Sequence, residues 1–502
     1  MSFAFRGARK EKLEYHFNDA KCTYLVTEKE HEAFSRHCVL PNGLILNYTN
    51  QTEMLYAEST DCKTYVIGIC VDAHGEIAPN TIADHIVNSC KSILDVLQLS
   101  RRFAGNFIIL FSEKNGFFAF TDTISACQIN YATWNSKIFI GSTDALVGNY
   151  LNAKHSKIAL SIKNQATAPG YQLPGDLTFF ENVKILLANH YIDLANGDVK
   201  RYWPINRDKD RVDIGFAVER TIALQKNIIK QYENKFSLEG SLTGGLDSRT
   251  VFALLKQYAK KVSYYTFFHK DLPKSHGDII IPQKLRDDYN LNWELLEHQP
   301  VTESYQREIV YYGGPMVTPD RVQLVYTFAE HFDKLCATVN GNVFEELGRN
   351  MMGKTYPDII APIYLAMHES YNYSNEAANE YKKQFAKIKD EGFAKKLLDL
   401  MSWESKCGRW ISDSMTTYAL AGRAALNLCN CREIMELWTS IDKKQRAKAM
   451  IHQGIINKLD KKLLDYPVNP DRKKSPKWRE NWIYTFFTAN PAIRKIFEKN
   501  RA

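Results

Sequence analysis

One stretch decides the fold of the second half of the chain: Ser241-Leu242-Thr243-Gly244-Gly245-Leu246-Asp247-Ser248-Arg249. Its first two residues end a run that is typical of a strand, 236–242. Its last residue begins a run with helical spacing, 249–258. Two adjacent glycines let the backbone turn tightly and bring its N–H groups close to a ligand. The helix N-terminus adds free N–H donors and the positive end of the helix dipole. The stretch is therefore predicted to cradle phosphate groups.

Helical and strand-like patterns alternate on both sides of this stretch. The sequence predicts helices over 214–232, 249–258 and 279–289, and strands over 236–242, 262–268 and 293–297. Strand, loop, helix and strand at these lengths form βαβ units with a parallel sheet. From about residue 361 onward the pattern is almost entirely helical.

The first 200 residues are predicted to form mostly antiparallel β structure. Pairs of strand-like runs flank short turns at 114–116, 134–136 and 196–197, and Asn-Gly in two of these turns is a strong hairpin signal. Ahead of them, 82–97 carries apolar residues at helical spacing. The change of pattern after Pro204 predicts two domains, 1–204 and 205–502.

Composition excludes several classes of protein. The chain has 502 residues, of which 45% are hydrophobic and 24% charged, as in globular proteins. No apolar run approaches the roughly 20 residues that span a bilayer, and the N-terminal stretch becomes charged too early for a signal peptide. Ten scattered cysteines without a CxxC pair predict a reduced, cytoplasmic protein. No zinc-finger or RRM-like pattern is present, so no nucleic acid partner is expected, whereas a homo-oligomer is left open.

Positive charge is concentrated near the C-terminus. The net charge is +8, and residues 441–502 alone carry 16 Lys or Arg against 6 Asp or Glu, so the rest of the chain is close to neutral. Two interpretations stay open. The segment is either a solvated helical face or a surface that meets an anionic substrate or nucleotide.

A single carboxylate, Asp247, lies inside the predicted phosphate cradle. It would repel phosphates unless a cation lay between them, so it is predicted to bind Mg²⁺. The hydroxyls of Thr243 and Ser248 add hydrogen-bond donors. The pattern GxxxxGK[ST] is absent, so this is not a Walker loop.

The segment TGGLDSR, 243–249, resembles the SGGxDS pyrophosphate-binding loop of the asparagine synthetase family. Residues 102–107 with 120–122, and 188–203, resemble that family's amidotransferase domain, and 340–348 is similar to its second active-site loop, SGEGxDE. The resemblance covers nearly the whole chain. It implies an α+β first domain, an Ntn-type antiparallel β sandwich with flanking helices. The second domain would be α/β, a parallel-sheet domain of the ATP pyrophosphatase type with a helical C-terminal part.

The resemblance also assigns roles to individual residues. It implies ATP as a substrate and Mg²⁺ as a cofactor, with Asp247 and Glu345 as the metal ligands. A lysine from the basic segment would stabilise charge that develops in the transition state, and Lys474 and Lys477 are the candidates; a solvated turn around Pro476 is the alternative. The residues implied to bind the nucleotide are Leu242, Thr243, Gly244, Gly245, Asp247, Ser248, Arg249, Asp278 and Gly341.

The sequence departs from the family pattern at three places. It reads Met1-Ser2-Phe3 where the family's glutaminases begin with a nucleophilic Cys, so no glutamine hydrolysis is expected. Glu345 stands where the family has a metal-binding Asp, and it keeps the negative charge. Asn342, a candidate catalytic residue, replaces the family's Glu, or the Tyr of the β-lactam-forming branch. Because an amide cannot act as a general base near neutral pH, no base is expected at this position.

The missing Cys is shared with β-lactam and carbapenam synthetases and with lasso-peptide cyclases. Residues 403–410 and 430–432 look more like asparagine-synthetase-like proteins encoded beside polysaccharide genes. The resemblance implies an ATP-dependent, AMP-forming ligase that joins a small-molecule or peptide carboxylate to ammonia or an amine. Two alternatives stay open: an intramolecular cyclase, and a nucleotide-binding regulator without turnover.

Overall fold

The computed structural model describes residues 13–166, 172–204, 211–268, 273–349, 361–369, 374–393 and 397–471, with single positions at 483 and 487. Its strands are β1 (Tyr24–Thr27), β2 (Arg36–Val39), β3 (Ile45–Tyr48), β4 (Met54–Glu58), β5 (Lys63–Asp72), β6 (Phe103–Glu113), β7 (Gly116–Thr121), β8 (Asn130–Trp134), β9 (Lys137–Gly141), β10 (Lys184–Ile185), β11 (His190–Asp193), β12 (Val199–Arg201), β13 (Ser237–Ser241), β14 (Val262–Phe268), β15 (Trp293–Glu297), β16 (Cys336–Asn340) and β17 (Ala424–Asn427).

The α-helices are α1 (Ile82–Ser89), α2 (Ile93–Leu99), α3 (Asp144–Tyr150), α4 (Lys157–Gln165), α5 (Ile214–Glu233), α6 (Leu246–Tyr258), α7 (Gly277–Tyr289), α8 (Glu303–Gly313), α9 (Pro319–His331), α10 (Ala361–Glu369), α11 (Asn375–Asp390), α12 (Leu397–Met401), α13 (Ser412–Leu420), α14 (Arg432–Thr439), α15 (Lys443–Ala447) and α16 (Met450–Asp460). Two segments are π-helical, Phe344–Gly348 and Ser402–Ile411. Short 3-10 turns lie at Phe17–Asp19, Pro79–Thr81, Ser100–Arg102, Gly314–Met316 and Lys461–Asp465.

Two antiparallel sheets form in the part of the chain that precedes α5. Their strand orders are β10-β8-β9-β1-β3-β2 and β12-β11-β7-β6-β5-β4. One buried hydrophobic cluster contains side chains of both sheets, such as Val26 and Leu46 from the first and Ile67 and Ile108 from the second. The sheets therefore pack face to face, and α1 and α2 cover the other side of the second sheet. The predicted antiparallel architecture is confirmed.

The three predicted hairpins are present, but the predicted helix over 82–97 is wrong as a single element. In the second hairpin Trp134 pairs with Lys137, and the two residues between them have positive φ, as a mirror-image turn requires. Two helices, α1 and α2, replace the single helix. The second begins at Ser92, whose hydroxyl accepts from the backbone of Asp95 while the Asp95 carboxylate accepts in return, a capping box that fixes a new helix start.

The second half contains a parallel sheet in the order β15-β14-β13-β16-β17. The βαβ pattern is confirmed, and β14 and β15 have the predicted bounds. Two strands of this sheet, β16 and β17, were not predicted. β17 corrects the expectation that the chain is almost entirely helical after 361, because its four residues are all buried against β16 and complete the sheet edge.

The order of strands reverses at β13. The chain adds β14 and β15 on one side of it, then crosses over to add β16 and β17 on the other side. In open parallel sheets, ligands bind at the carboxyl ends of the strands where the order reverses. The loops that follow β13 and β16 lie at that point.

Buried polar side chains join the two halves. Arg432 on α14 donates a hydrogen bond of 2.7 Å to the side chain of Asn189, and Asn430 donates one of 3.0 Å to the carboxylate of Asp122. Burial raises the pKa of Asp122 to about 6, although several backbone N–H groups donate to it. Residues 120–122 and 188–203, which the resemblance assigns to an amidotransferase domain, thus contact the C-terminal half directly.

Some sequence predictions fall outside the described residues, namely those on Met1-Ser2-Phe3, Lys474 and Lys477. In the ranges that are described, no helix combines the length and the apolar character needed to cross a bilayer. The ten cysteines are free thiols, and nine of them are buried.

A carboxyl group, Glu239, is buried in β13 just before the loop. Its side chain is 5% exposed, and its Oε2 has no hydrogen-bond partner in the described structure. Burial raises the pKa of Glu239 to about 8, against the lowering effect of nearby Cys336 and Ser263. An unfolded glutamate has a pKa of about 4.3. At pH values between these two pKa values, Glu239 in the folded protein holds a proton that the unfolded chain has released.

The free energy of unfolding should therefore fall as the pH rises from about 4 to about 8. Glu239→Gln is expected to remove this dependence, because the amide mimics the protonated acid and does not titrate. The variant should melt at a higher temperature than the wild-type protein at pH 8 and at a similar temperature at pH 5. Melting curves of both proteins across this range measure the effect. A difference in melting temperature that stays constant with pH would contradict the assignment.

Candidate active site

Two loops at the carboxyl edge of the parallel sheet enclose a cleft of about 500 Å³. The first follows β13 and runs into α6, and the second follows β16 and begins at Gly341. The start of α7 and the segment 469–471 close the other sides. Eight predicted site residues line the cleft together: Thr243, Gly245, Asp247, Ser248, Asp278, Gly341, Asn342 and Glu345.

The first loop is held by its own hydroxyl groups. The hydroxyl oxygens of Thr243 and Ser248 lie 3.0 Å apart, and the N–H of Gly245 donates to the Thr243 hydroxyl at 3.2 Å. Gly245 is the N-cap of α6 and has no side chain, so no cap side chain accepts from the first turn of the helix. These N–H groups, at the positive end of the helix dipole, are suited to an anionic ligand.

Helix α7 packs directly against this loop. The N–H of Gly244 donates to Oδ1 of Asp278 at 2.8 Å, so in this structure a carboxylate accepts from the loop. A Cβ added at Gly244 would lie 3.0 Å from the carbonyl oxygen of Gly277. The close approach of the two elements therefore depends on a residue without a side chain at this position.

A guanidinium lies between the two predicted metal ligands. Nη2 of Arg349 is 2.9 Å from Oδ2 of Asp247 and 2.9 Å from Oε1 of Glu345. The carboxylates thus converge on one point, and a cationic group is already there. The next acid along the chain, Glu346, is buried and accepts from the hydroxyl of Ser402 at 3.2 Å.

The two convergent carboxylates suit Mg²⁺, which usually binds proteins through one or two carboxylates together with substrate phosphates. Across the described ranges, no three His, Cys, Asp or Glu side chains are grouped as a protein-only metal site. Asp247 and Glu345 are the residues that would hold the ion, and Arg349 would have to move from between them.

The other oxygen of Asp247 is bound by a buried histidine. Nε2 of His452, on α16, lies 2.8 Å from Oδ1 of Asp247. The imidazole is fully buried and packs against the ring of Phe344 at 5.7 Å between centroids. A Cβ added at Gly348 would lie 2.9 Å from Cε1 of His452, so the second loop needs a glycine there. His452 therefore fixes the orientation of the Asp247 carboxylate.

Three predicted nucleotide-binding residues do not line the cleft: Leu242, Gly244 and Arg249. The side chain of Leu242 is fully buried in the hydrophobic core. Arg249 is also fully buried, and its guanidinium ties the C-terminal segment to the loop instead of facing a ligand. It donates to four backbone carbonyls, those of Gly244, Leu463, Tyr466 and Pro467.

Sequence reasoning missed several residues of the cleft. Arg349 follows Glu345 by four positions, a helical spacing that could have suggested the ion pair. Asn469 and Asp471 lie within the basic C-terminal segment, and the N–H of Asn469 donates to the carbonyl of Gly244 at 3.0 Å. No pattern in the sequence connects His452 with the loop. Lys474, which follows Asp471 by three residues, lies outside the described residues.

The described lining of the cleft is mainly acidic. Asp247, Asp278, Glu345 and Asp471 face the cavity, against the single guanidinium of Arg349. Carboxylates repel a polyphosphate, so a nucleotide would need accompanying cations to bind here. This charge balance favours a ligand that arrives with a divalent metal.

No protein-family model matches the chain, and comparison with curated proteins gave no match either. The resemblance to the asparagine synthetase family therefore rests on the motifs themselves. The geometry brings the two principal motifs, 243–249 and 340–348, to one cleft.

Arg349→Met is expected to strengthen binding of Mn²⁺, used as a probe for Mg²⁺, by about tenfold or more in the absence of nucleotide. The change removes the cation that a metal must displace and leaves two carboxylates facing each other. Calorimetric titration with Mn²⁺ measures the affinity. Arg286→Met, which removes a partly exposed arginine of α7 paired with Asp287, is the matched control and should bind Mn²⁺ as the wild type does. Unchanged or weaker binding by Arg349→Met would mean that the guanidinium does not occupy the metal position.

Proposed function

We propose that this protein is an ATP-dependent, AMP-forming carbon–nitrogen ligase of the asparagine synthetase type. One observation carries the proposal. The glycine-rich loop after β13 and the acidic loop after β16 meet in one cleft at the point where the strand order reverses. This is the position at which parallel sheets bind nucleotides, and both loops carry the residue types that such a site requires.

Each part of the cleft has a role in binding ATP. The first turn of α6 supplies uncapped N–H groups to the phosphates, and the hydroxyls of Thr243 and Ser248 add donors beside them. Asp247 and Glu345 would hold Mg²⁺. The bound ion would neutralise charge on the phosphates that leave as pyrophosphate. His452 orients Asp247 from behind, so the carboxylate is fixed before the nucleotide arrives.

The reaction consists of two displacements. A substrate carboxylate attacks the α-phosphorus of ATP, which forms an acyl-adenylate and releases pyrophosphate. An amine then attacks the acyl carbon, AMP leaves, and the nitrogen gives up a proton. Activation is necessary because the oxygen of a free carboxylate is a poor leaving group. Asn342 lines the cleft and can orient a substrate through its amide, but it cannot accept the proton from the amine.

A second candidate is a nucleotide-binding regulator without turnover. Both oxygens of Asp247 are engaged by protein groups, one by Arg349 and the other by His452. If these contacts persist when nucleotide binds, the carboxylate cannot hold a metal. ATP would then bind in the cleft without reacting.

Product analysis separates the two candidates. The protein is incubated with ATP, Mg²⁺, ammonia and a panel of carboxylates that includes amino acids, uronic acids and short peptides, with each carboxylate omitted in turn. The ligase should release AMP and pyrophosphate in equal amounts, and only when its carboxylate is present. ATP binding without AMP release under every condition would support the regulator. Release of ADP and phosphate, or no binding of ATP, would reject the ligase.

A further inference from the structure

A second cavity, of about 360 Å³, lies between the edges of the two antiparallel sheets and helix α11. Its walls come from β8, β10 and the β11–β12 hairpin on one side, and from residues 380–387 of α11 on the other. None of the residues that line it also lines the cleft described above. Its volume is in the range of small-molecule binding sites.

Two side chains that line this cavity are almost fully buried and lack hydrogen-bond partners. His190 is 1% exposed, and its Nε2 is unpaired in the described structure. Gln384 is 7% exposed, and both its Oε1 and its Nε2 are unpaired there. Buried polar groups in native proteins are nearly always hydrogen-bonded. These three unpaired atoms around one cavity are therefore available to hydrogen-bond a molecule that binds there.

The state of His190 determines which group it can bind. Its Nδ1 lies 3.0 Å from the carbonyl oxygen of Ala188, and because a carbonyl only accepts, Nδ1 carries a proton. Burial and the nearby Arg201 lower the pKa of His190 to about 4, so the ring is neutral near pH 7. Nε2 is then a bare acceptor that requires a donor from the ligand, such as a hydroxyl group.

The rim of the cavity provides positive charge. Lys184 pairs with Asp176 at 3.0 Å, and Lys383 pairs with Glu380 at 2.6 Å. Lys387 also lines the cavity, one turn further along α11, and it has no ion pair with any described residue. Its ammonium group can therefore bind an anionic group of a ligand.

We infer that this cavity binds a small hydroxylated anion of monosaccharide size, such as a sugar carboxylate. One hydroxyl donates to Nε2 of His190, neighbouring hydroxyls exchange donor and acceptor bonds with the amide of Gln384, and the anionic group meets Lys387. The inference is independent of the proposed ligase reaction, since the two cavities share no lining residue.

Calorimetry and thermal melting of the full-length protein without ATP test the inference. The probes are D-glucuronate, glucose 6-phosphate, D-glucose, L-glutamine and acetate. D-Glucuronate, glucose 6-phosphate or both should bind and raise the melting temperature, and comparing the two distinguishes a carboxylate from a phosphate. D-Glucose and acetate should each bind at least about tenfold more weakly, because each lacks one of the recognised groups. The inference would be overturned if L-glutamine bound more tightly than D-glucuronate and glucose 6-phosphate, or if no probe bound.

Variants of α11 assign the effect to this cavity. Gln384→Leu removes two unpaired buried atoms, so it should melt at a higher temperature than the wild type without ligand and lose the ligand-induced shift. Lys387→Ala should weaken binding of the anionic probes about tenfold. Lys382→Ala, an exposed lysine of the same helix that does not line the cavity, should leave their binding unchanged. Equal effects of the two lysine variants, or a ligand shift that survives in Gln384→Leu, would contradict the site.

Discussion

Asp247→Asn is expected to reduce AMP formation by about 10³-fold or more while the protein remains folded. A metal contributes several kcal/mol of charge stabilisation in phosphoryl chemistry, and each 1.36 kcal/mol is about tenfold in rate. The amide keeps the shape of the carboxylate but lacks the charge that would bind Mg²⁺. It also weakens the contacts with Arg349 and His452, which hold the carboxylate in place.

The control for this variant is Asp84→Asn. Asp84 is an exposed aspartate in the first turn of α1, as Asp247 is in the first turn of α6, so the control removes a helix-terminal charge away from the cleft. It should retain full activity. AMP and pyrophosphate release is measured for both variants, together with circular dichroism and melting temperature. If Asp247→Asn forms AMP within a few-fold of the wild-type rate, the assignment of Asp247 to the metal is wrong.

Gly341→Val is expected to lower AMP formation by about 10²-fold or more, because a displacement of about 1 Å at a catalytic site can cost that much. A Cβ at position 341 would lie 3.0 Å from the carbonyl carbon of Asp247 and 3.2 Å from its Cβ. The second loop would therefore be pushed away from the first turn of α6. Asp247 and Glu345 would then separate, although neither has been changed.

Gly341→Ala provides a graded comparison. Its single methyl group requires a shift of a few tenths of an ångström, so its loss of activity should be smaller than that of the valine variant. Circular dichroism and melting temperature establish that both variants fold, and Mn²⁺ titration reports the separation of the carboxylates. If Gly341→Val folds and retains wild-type activity, the two loops do not act as one site.

The hydrophobic pattern and the turn residues determined most of the local structure. The run 262–268 became β14 with its predicted bounds, and the turn before Lys137 formed as predicted. Boundaries were less accurate where a side chain acts locally, as at Ser92, which starts a new helix inside a continuous apolar pattern. β17 was missed because a run of four residues is too short to show the periodicity of a strand. Only its pairing with the neighbouring strand β16 identifies it.

The sequence by itself determined the glycine-rich loop, its position between a strand and a helix, and the acidic character of the second loop. Those features depend on residues that are adjacent in the chain. Only the tertiary structure decided that Arg349 lies between Asp247 and Glu345, that His452 binds Asp247 from α16, and that Arg249 faces backbone carbonyls instead of the cleft. Apart from the pair of Arg349 with Glu345, which are four positions apart, these contacts join residues far apart in sequence, and the packing of the strands and helices around β13 brings them together.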